Sequence, residues 1–223
     1  MALDIGAFVR PSRELIEGIN ELSSPTVLES LKGKFNMHSE IKPFWPGVKL
    51  VGSALTVRCQ VGDNLTLHKA VELLQPGDVI VADAGGYKET GGMWGEIMAL
   101  AAQKRGGVGL VIDGAVRDIP ILRQINFPVF ARTASPGSTA KKTFGSIGRP
   151  ITCGGVLVNP GDIIVGDESG VLVIPAEKAA EVLELTIKIA EAEDGIEAAL
   201  RQGLTLTQAR EKYHYHQLQN KLK

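Results

Sequence analysis

The feature that most constrains this chain is an alternation of short apolar segments with helical segments between residues 79 and 131. The apolar segments are 79–82, 108–112 and 128–131, and helical patterns occupy 90–105 and 118–124. Each apolar segment is short enough to form one buried strand. Strands that are joined through helices run parallel, because the crossover returns the chain to the same end of the sheet. The alternation therefore predicts an α/β fold with parallel strands covered by helices.

Further elements are predicted on both sides of this alternation. Before it come a helix at 13–22, a helix from the cap Ser24 and Pro25 to a stop at Gly33, an irregular loop at 34–48, a strand at 49–61, and a helix capped by Asp63. After it come three β segments (ITCGGVLV, DIIVG and GVLVIP), a long helix at 176–202, and a last helix capped by Thr207. We find no repeat and no linker, so we predict a single domain over 1–223. Its core spans about residues 20–180, and helical extensions at both ends either complete that core or pack on another subunit.

Composition excludes several classes of protein. The chain has 24 Lys and Arg against 25 Asp and Glu, a balance that argues against a general nucleic-acid binder. Hydrophobic residues make up 44% of the chain, which excludes a disordered acidic protein. Two cysteines do not make a disulfide framework. No apolar stretch approaches the ~20 residues that span a membrane, and no secretory signal opens the chain. We therefore expect a cytoplasmic protein.

Glycines are concentrated where the strand at 79–82 passes into the next helix. Ligands of open α/β sheets bind beyond the carboxyl ends of the strands. Backbone N–H groups at the start of a helix attract an anion, so a small carboxylate is expected on this turn. The N–H groups concerned belong to Gly95, Glu96, Ile97 and Met98. The turn lacks the lysine of a P-loop and the spacing of a dinucleotide-binding loop, and a glycine-rich turn without a ligand fits the pattern equally well.

The next strand ends in DGAVRD, which places Arg117 beside Asp118. An arginine binds a carboxylate or a developing oxyanion through two hydrogen bonds. An aspartate is a hard oxygen ligand for Mg²⁺ or Mn²⁺. In the alternative interpretation, Asp118 only caps the following helix and Arg117 pairs with a surface acid. Glu96 precedes Arg117 by 20 intervening residues, in the neighbouring βα unit, so we expect Glu96 and Arg117 to face one crevice.

Three runs of sequence resemble the RraA-like family. They are GDNLTLHKAVELLQPGDVIVADAGG, GGMWGEIMALAAQKRGGVGLVIDGAVRD and GDESGVLVIP, and the similarity covers about residues 20–180. The family includes 4-hydroxy-4-methyl-2-oxoglutarate and 4-carboxy-4-hydroxy-2-oxoadipate aldolases, and also the regulator of ribonuclease E activity A. The resemblance implies a swivelling-type α-β-β-α sandwich.

The resemblance also implies a function and roles for site residues. The aldolase branch carries an acid, 20 residues, and then Arg-Asp. The acid is usually Asp and here is Glu96, whereas the branch without catalysis tends to have Gly. The implied activity is that of a class II, divalent-metal pyruvate aldolase that also decarboxylates oxaloacetate. Asp118 would hold Mg²⁺ or Mn²⁺, Arg117 would stabilise the enolate, and Glu96 would position a metal-bound water for proton transfer.

The same resemblance implies a homotrimer or homohexamer with active sites between subunits. The family places an acid from a neighbouring subunit near the metal, and the candidates in this chain are Glu29 and Glu168.

Three other functions compete with this one. The first is a non-catalytic regulator of ribonuclease E that acts by binding a protein. The second is a class I aldolase, which needs a buried Schiff-base lysine, yet Lys88 and Lys104 both occupy polar surroundings. The third is a phosphate-transfer module that uses His68, for which a hydrogen-bonded structural histidine is the simpler interpretation.

Overall fold

A computed structural model of the chain describes residues 3–31, 35–86 and 91–220. The predicted helix stop at Gly33, the lysine Lys88 and the helical start at residue 90 lie outside these ranges. The strands are β1 (Asp4–Ile5), β2 (Lys42–Pro43), β3 (Leu50–Arg58), β4 (Asp78–Asp83), β5 (Gly109–Val116), β6 (Val129–Ala134), β7 (Ser146–Ile147), β8 (Ile151–Cys153), β9 (Val156–Val158), β10 (Ile163–Asp167) and β11 (Gly170–Ile174). The helices are α1 (Arg13–Asn20), α2 (Ser24–Ser30), α3 (Leu65–Leu73), α4 (Glu96–Lys104), α5 (Ile119–Gln124), α6 (Ala179–Arg201), α7 (Leu206–Lys212) and α8 (Tyr215–Asn220), with a 3₁₀ turn at Ala176–Lys178.

The predicted parallel sheet is present. Strands β3, β4, β5 and β6 are neighbours in that order, and each pair is parallel. Strand β3 also pairs antiparallel with β10 along its first half and with β7 at its end. Strands β2, β6, β10 and β11 extend the sheet through further antiparallel pairs. The fold is therefore mixed α/β, as the alternation predicts, with helices flanking the sheet.

The main hydrophobic core lies around this sheet. Helices α3 and α4 pack on β3 and β5, and the β8–β9 hairpin packs on β4 and β3. Trp94 is fully buried in this core, where its ring stacks on Phe127 with centroids 5.9 Å apart. Because Trp94 packs inside the core, the glycine-rich turn is anchored to the body of the protein.

The helical extensions complete the protein's own core. Helix α6 packs against both α1 and α2, and α2 also packs on β10 and β11. Their buried residues form a second cluster with the sheet: Ile19, Val27, Leu31, Val51, Ile163, Val165, Leu172, Ile174, Ala179 and Val182. A third cluster joins the last part of α6 to α7 and α8. Of the two alternatives, that the extensions complete the core of the chain or that they pack on another subunit, the first is therefore correct for α1, α2 and α6.

Several predicted helix boundaries are wrong by a few residues. Helix α2 is capped by Ser23 rather than by Ser24. The side chain of Ser23 accepts a hydrogen bond from the Thr26 N–H. Helix α7 is capped by Thr205, rather than Thr207, because Gln208 completes a capping box with it. The helix predicted over 90–105 begins at residue 96, and the long helix follows a 3₁₀ turn.

Strand predictions also need correction. The segment ITCGGVLV is a hairpin, β8 and β9, because Gly154 and Gly155 both adopt positive φ in the turn between them. Strand β3 ends at Arg58 instead of residue 61, and Val61 is exposed, because the chain turns between Gln60 and Asp63. Strand β5 extends four residues beyond the predicted end at 112, and the predicted loop over 34–48 contains β2. Within the described ranges, no helix is long and apolar enough to cross a membrane.

Candidate active site

The glycine-rich turn lies directly beside the end of β5. Trp94 forms a parallel bridge with Val116, and the Arg117 N–H donates to the Trp94 carbonyl at 2.8 Å. The Met93 N–H donates to the carbonyl of Ala115, also at 2.8 Å. These bonds hold the start of α4 next to Arg117 and the residue after it, so the two segments singled out in the sequence meet in space.

Gly92 and Gly95 allow this close approach. A methyl group on Gly95 would lie 2.4 Å from Asp118 Oδ2, and one on Gly92 would lie 2.6 Å from Arg117 Cβ. The absence of side chains at these two positions thus makes room for Arg117 and Asp118. The sequence, in contrast, predicts a bound small carboxylate on this turn.

Asp118 caps α4 rather than its own helix. It lies at the N-cap position of α5 with φ +61°, but its side chain makes no capping bond there. Its Oδ2 instead accepts from the Glu96 N–H at 3.1 Å and lies 3.5 Å from Arg117 Nε. A left-handed conformation costs a non-glycine residue about 1–3 kcal/mol and is concentrated at functional sites. One N–H group predicted to bind a ligand carboxylate is therefore occupied by Asp118.

A cavity of about 280 Å³ opens at this junction. Its lining residues are Asn64, His68, Gly92, Gly95, Ile97, Met98, Arg117, Asp118, Thr139 and Lys141. The structure thus brings most of the predicted site residues around one space. Glu96 is the exception among them, because its half-buried side chain does not line the cavity. Its backbone N–H donates to Asp118.

Two lining residues from the start of α3 carry polar atoms without partners. Asn64 Oδ1 and His68 Nε2 are both buried and accept or donate no hydrogen bond within the described residues. Burial lowers the pKa of His68, and the positive charge of Lys141 lowers that pKa further. His68 is therefore not the hydrogen-bonded structural histidine of the simpler interpretation. The spacing of four residues, which puts both side chains on one side of a helix, is the sequence signal for this pair.

Lys141 reaches the cavity from a loop that Asp63 holds in place. The Asp63 carboxylate accepts from the N–H groups of Leu65, Lys142 and Thr143 at 3.0, 2.8 and 2.9 Å. Burial alone would raise the pKa of Asp63, but these hydrogen bonds outweigh it and lower that pKa. The sequence predicts Asp63 as a helix cap, and its carboxylate does accept a hydrogen bond from the first turn of α3. It also fixes the loop that carries Lys141.

Asp118 is the acidic side chain in the lining that suits a divalent cation. Its side chain is 35% exposed and opens on the cavity. Within the ranges described, no group of three or more His, Cys, Asp and Glu side chains is placed to hold a metal ion. Mg²⁺ commonly binds through one or two carboxylates and takes its other ligands from water and substrate, so this donor set fits such an ion.

The two acids considered for a neighbouring subunit both make bonds within their own chain. Glu29 accepts from the Tyr215 hydroxyl at 2.8 Å, and Glu168 accepts from the Gly47 N–H at 2.5 Å. Neither is among the residues that line the cavity of this chain.

Comparisons with known proteins agree with this architecture. The RraA-like family model, described as Aldolase/RraA, matches residues 18–173. A protein of Halalkalibacterium halodurans that is provisionally named a 4-hydroxy-4-methyl-2-oxoglutarate aldolase is 40% identical over 171 residues, which are 77% of this chain and 81% of the relative.

Solved structures show the same relationship. An uncharacterized protein from Pseudomonas syringae pv. tomato superposes with a TM-score of 0.81 at 29% identity, over 91% of this chain and 100% of the other. RraAS2 of Streptomyces coelicolor, described as an unusual member of the RNase ES inhibitor RraA protein family, gives a TM-score of 0.75 at 31% identity, over 84% of this chain and 98% of the other. The chain belongs to the RraA-like family.

Proposed function

We propose that the protein is a carbon–carbon lyase that cleaves 4-hydroxy-2-oxo acids and releases pyruvate. Substrates of this class include 4-hydroxy-4-methyl-2-oxoglutarate and 4-carboxy-4-hydroxy-2-oxoadipate. The observation that carries the proposal is the meeting of Arg117, Asp118 and the first turn of α4 around one cavity. The aldolase name given to the Halalkalibacterium relative supports the same reaction.

The lining residues match the charges that this reaction develops. Cleavage leaves a pyruvate enolate, and the Arg117 guanidinium, which lines the cavity, would stabilise its oxygen as negative charge grows there. The N–H groups of Ile97 and Met98, in the first turn of α4, have no partners within the helix and would bind the substrate carboxylate. Lys141 adds a second cation for a substrate that carries two carboxylates. Glu96, whose side chain lies outside this lining, would act through a water molecule that it orients for proton transfer.

A divalent cation is part of the proposal. Asp118 would hold Mg²⁺ or Mn²⁺, and the ion would supply Lewis-acid polarisation of the 2-oxo group. Oxaloacetate decarboxylation leads to the same pyruvate enolate, so the same residues would serve both reactions. The proposal therefore includes oxaloacetate decarboxylase activity.

We also propose that the working form is a homotrimer or homohexamer. Ile97 is 77% exposed and Leu100 is 44% exposed on α4, beside the cavity. Exposed apolar side chains next to a cavity are suited to contact with a second subunit. In such an assembly Glu29 or Glu168 is the candidate acid contributed by the neighbour.

Similarity to RraAS2 of Streptomyces coelicolor favours one alternative, a non-catalytic regulator of ribonuclease E that acts by binding protein. A regulator of this kind would inhibit the ribonuclease without requiring Arg117. Inhibition that persists in an Arg117→Ala variant, together with no lyase activity in the unaltered protein, would favour this alternative.

Pyruvate release tests the proposed lyase directly. Lactate dehydrogenase and NADH report pyruvate formed from oxaloacetate and from a panel of 4-hydroxy-2-oxo acids, with Mg²⁺ or Mn²⁺ added. We expect rates above the blank that contains metal alone, and loss of that rate with EDTA. Rates equal to the blank for every substrate would refute the proposal.

Arginine substitutions locate the activity within the protein. Arg117→Ala should lower kcat at least about 100-fold, because an enolate-stabilising donor is lost. Arg123→Ala is the matched control, since Arg123 is exposed at the end of α5 and does not line the cavity. Near-normal turnover of the Arg117 variant would rule out its assigned role.

A further inference from the structure

Two residues that line the cavity, Asn64 and His68, each carry a buried side-chain polar atom that has no hydrogen-bond partner among the described residues. The Asn64 amide is fixed in orientation, because its Nδ2 donates to the Met93 carbonyl at 2.9 Å. Its Oδ1 consequently remains an unpartnered acceptor, and the residue is 4% exposed. His68 Nε2, one helical turn further along α3, is likewise buried and unpartnered among the described residues.

An unpartnered buried polar atom costs about 1–3 kcal/mol, so a pair of them in a cavity points to a ligand that satisfies both. With its ring hydrogen on Nδ1, His68 presents Nε2 as an acceptor. Two acceptors on one side of a helix are suited to a single O–H donor, which can be shared between them in a three-centre hydrogen bond. A hydroxyl is a ligand group that can supply such a donor.

We propose that His68 is the base that takes the proton of the substrate's C4 hydroxyl, and that Asn64 is the positioning residue that holds this hydroxyl. The inference rests on the proposed lyase function, which requires a hydroxyl at C4 in its substrates. The bonds that change are these. The hydroxyl proton moves to Nε2, the C4–O bond becomes a carbonyl, and the C3–C4 bond breaks. Its electron pair enters the C2–C3 bond to give the enolate of pyruvate.

Proton balance is completed by water. The enolate carbon takes a proton from solvent, and Nε2 releases its proton to solvent. The charges that line the cavity favour a neutral imidazole before the reaction, because burial and Lys141 both lower the pKa of His68. Arg117 and Asp118 are the other charged groups in the lining, and their opposite charges lie 3.5 Å apart.

Oxaloacetate provides an internal comparison, because it has no hydroxyl at C4. Its decarboxylation produces the same enolate without the step assigned to His68. If His68 acts as a base on this hydroxyl, its substitution must therefore lower the rate of 4-hydroxy-2-oxo acid cleavage more than the rate of oxaloacetate decarboxylation. A residue with a merely structural role would lower both reactions together.

The experiment compares kcat for both reactions in His68→Asn and His68→Gln, with Mg²⁺ present and thermal unfolding measured in parallel. General bases contribute about 10²–10⁴-fold, so the ratio of aldol cleavage to decarboxylation should fall about 100-fold or more in both variants. His216→Asn is the matched control, because His216 is exposed on α8. In Asn64→Ala the KM for the hydroxy acid should rise more than the KM for oxaloacetate.

The outcomes separate this inference from the function on which it rests. A ratio that stays within about threefold of the unaltered protein in both His68 variants overturns the assignment of His68. Equal changes of both KM values in Asn64→Ala overturn the assignment of Asn64. An unaltered protein that cleaves no hydroxy acid and decarboxylates no oxaloacetate overturns the proposed function, and this inference with it.

Discussion

A methyl group placed on Gly95 tests whether the close approach of Asp118 to α4 is needed for activity. In Gly95→Ala the new Cβ would lie 2.4 Å from Asp118 Oδ2. An unstrained carbon–oxygen contact needs about 3.5 Å, so the carboxylate must move about 1 Å. The 3.1 Å hydrogen bond from the Glu96 N–H then exceeds bonding distance. The backbone of Gly95 is extended, with φ −159°, and alanine adopts this conformation readily.

The two consequences of this change differ in size. Misplacing a reacting group by 1 Å can cost about 100-fold in rate, or about 2.7 kcal/mol of transition-state stabilisation. The lost hydrogen bond should cost only about 1 kcal/mol of folding free energy, because Asp118 is 35% exposed and water replaces much of the bond. We therefore expect kcat/KM for pyruvate release to fall about 100-fold while Tm falls by about 2–4 °C.

The assay is coupled pyruvate release alongside thermal unfolding, with Gly18→Ala as the control. Gly18 lies inside α1, where a methyl group would meet only the flexible end of Leu183, at 2.9 Å from Cδ2. That variant should keep the activity of the unaltered protein. A Gly95→Ala protein with more than half of the unaltered kcat/KM would show that the position of Asp118 does not govern the reaction.

Two further predictions concern Asp118 and Asp63. Asp118→Gly should abolish pyruvate release yet keep Tm within about 3 °C of the unaltered protein. The Tm should hold because glycine relieves the strain of the φ +61° conformation, and this gain offsets the lost hydrogen bond to α4. A large fall in Tm would contradict this reasoning. Asp63→Asn should lower the free energy of unfolding by about 2–4 kcal/mol at pH 7, because a charged acceptor of three N–H groups is lost. Since folding lowers the pKa of Asp63 below its ordinary 3.8, this stabilisation is complete well above pH 3.8 and disappears as pH falls through the lowered value. Urea unfolding of both proteins across pH 2–7 should show the two stabilities converging in acid, and a constant difference would contradict the assigned cause.

The parallel sheet and the neighbourhood of the site could be predicted from the sequence. Alternating buried strands and helices leave few arrangements, and adjacent βα units place their strand ends side by side, so Arg117 and the start of α4 had to be close. The Gly154 and Gly155 pair was also sufficient to predict the β8–β9 turn, although the segment was interpreted as one strand.

The remaining features depend on contacts that no local pattern encodes. Asp118 occupies the N-cap position of α5, where sequence rules assign it to that helix, but its left-handed backbone turns the carboxylate toward α4. Lys141 enters the cavity from an irregular loop. The N–H groups of the next two residues in that loop donate to Asp63, which lies 78 residues before Lys141. The spacing of Asn64 and His68 predicts that both lie on one side of a helix, but it does not predict that His68 lines a cavity and leaves Nε2 without a partner among the described residues.

The cluster at the end of α6 affects how the protein unfolds locally. This cluster joins α7 and α8 to the last part of α6, and Tyr215 links it to α2 by donating to Glu29. Segments with a small hydrophobic cluster of their own open as separate cooperative units. Amide hydrogens in α7 and α8 should therefore exchange with deuterated water well before those of β3–β6. Because no residue of this cluster lines the cavity, such opening leaves the cavity lining of the same chain assembled.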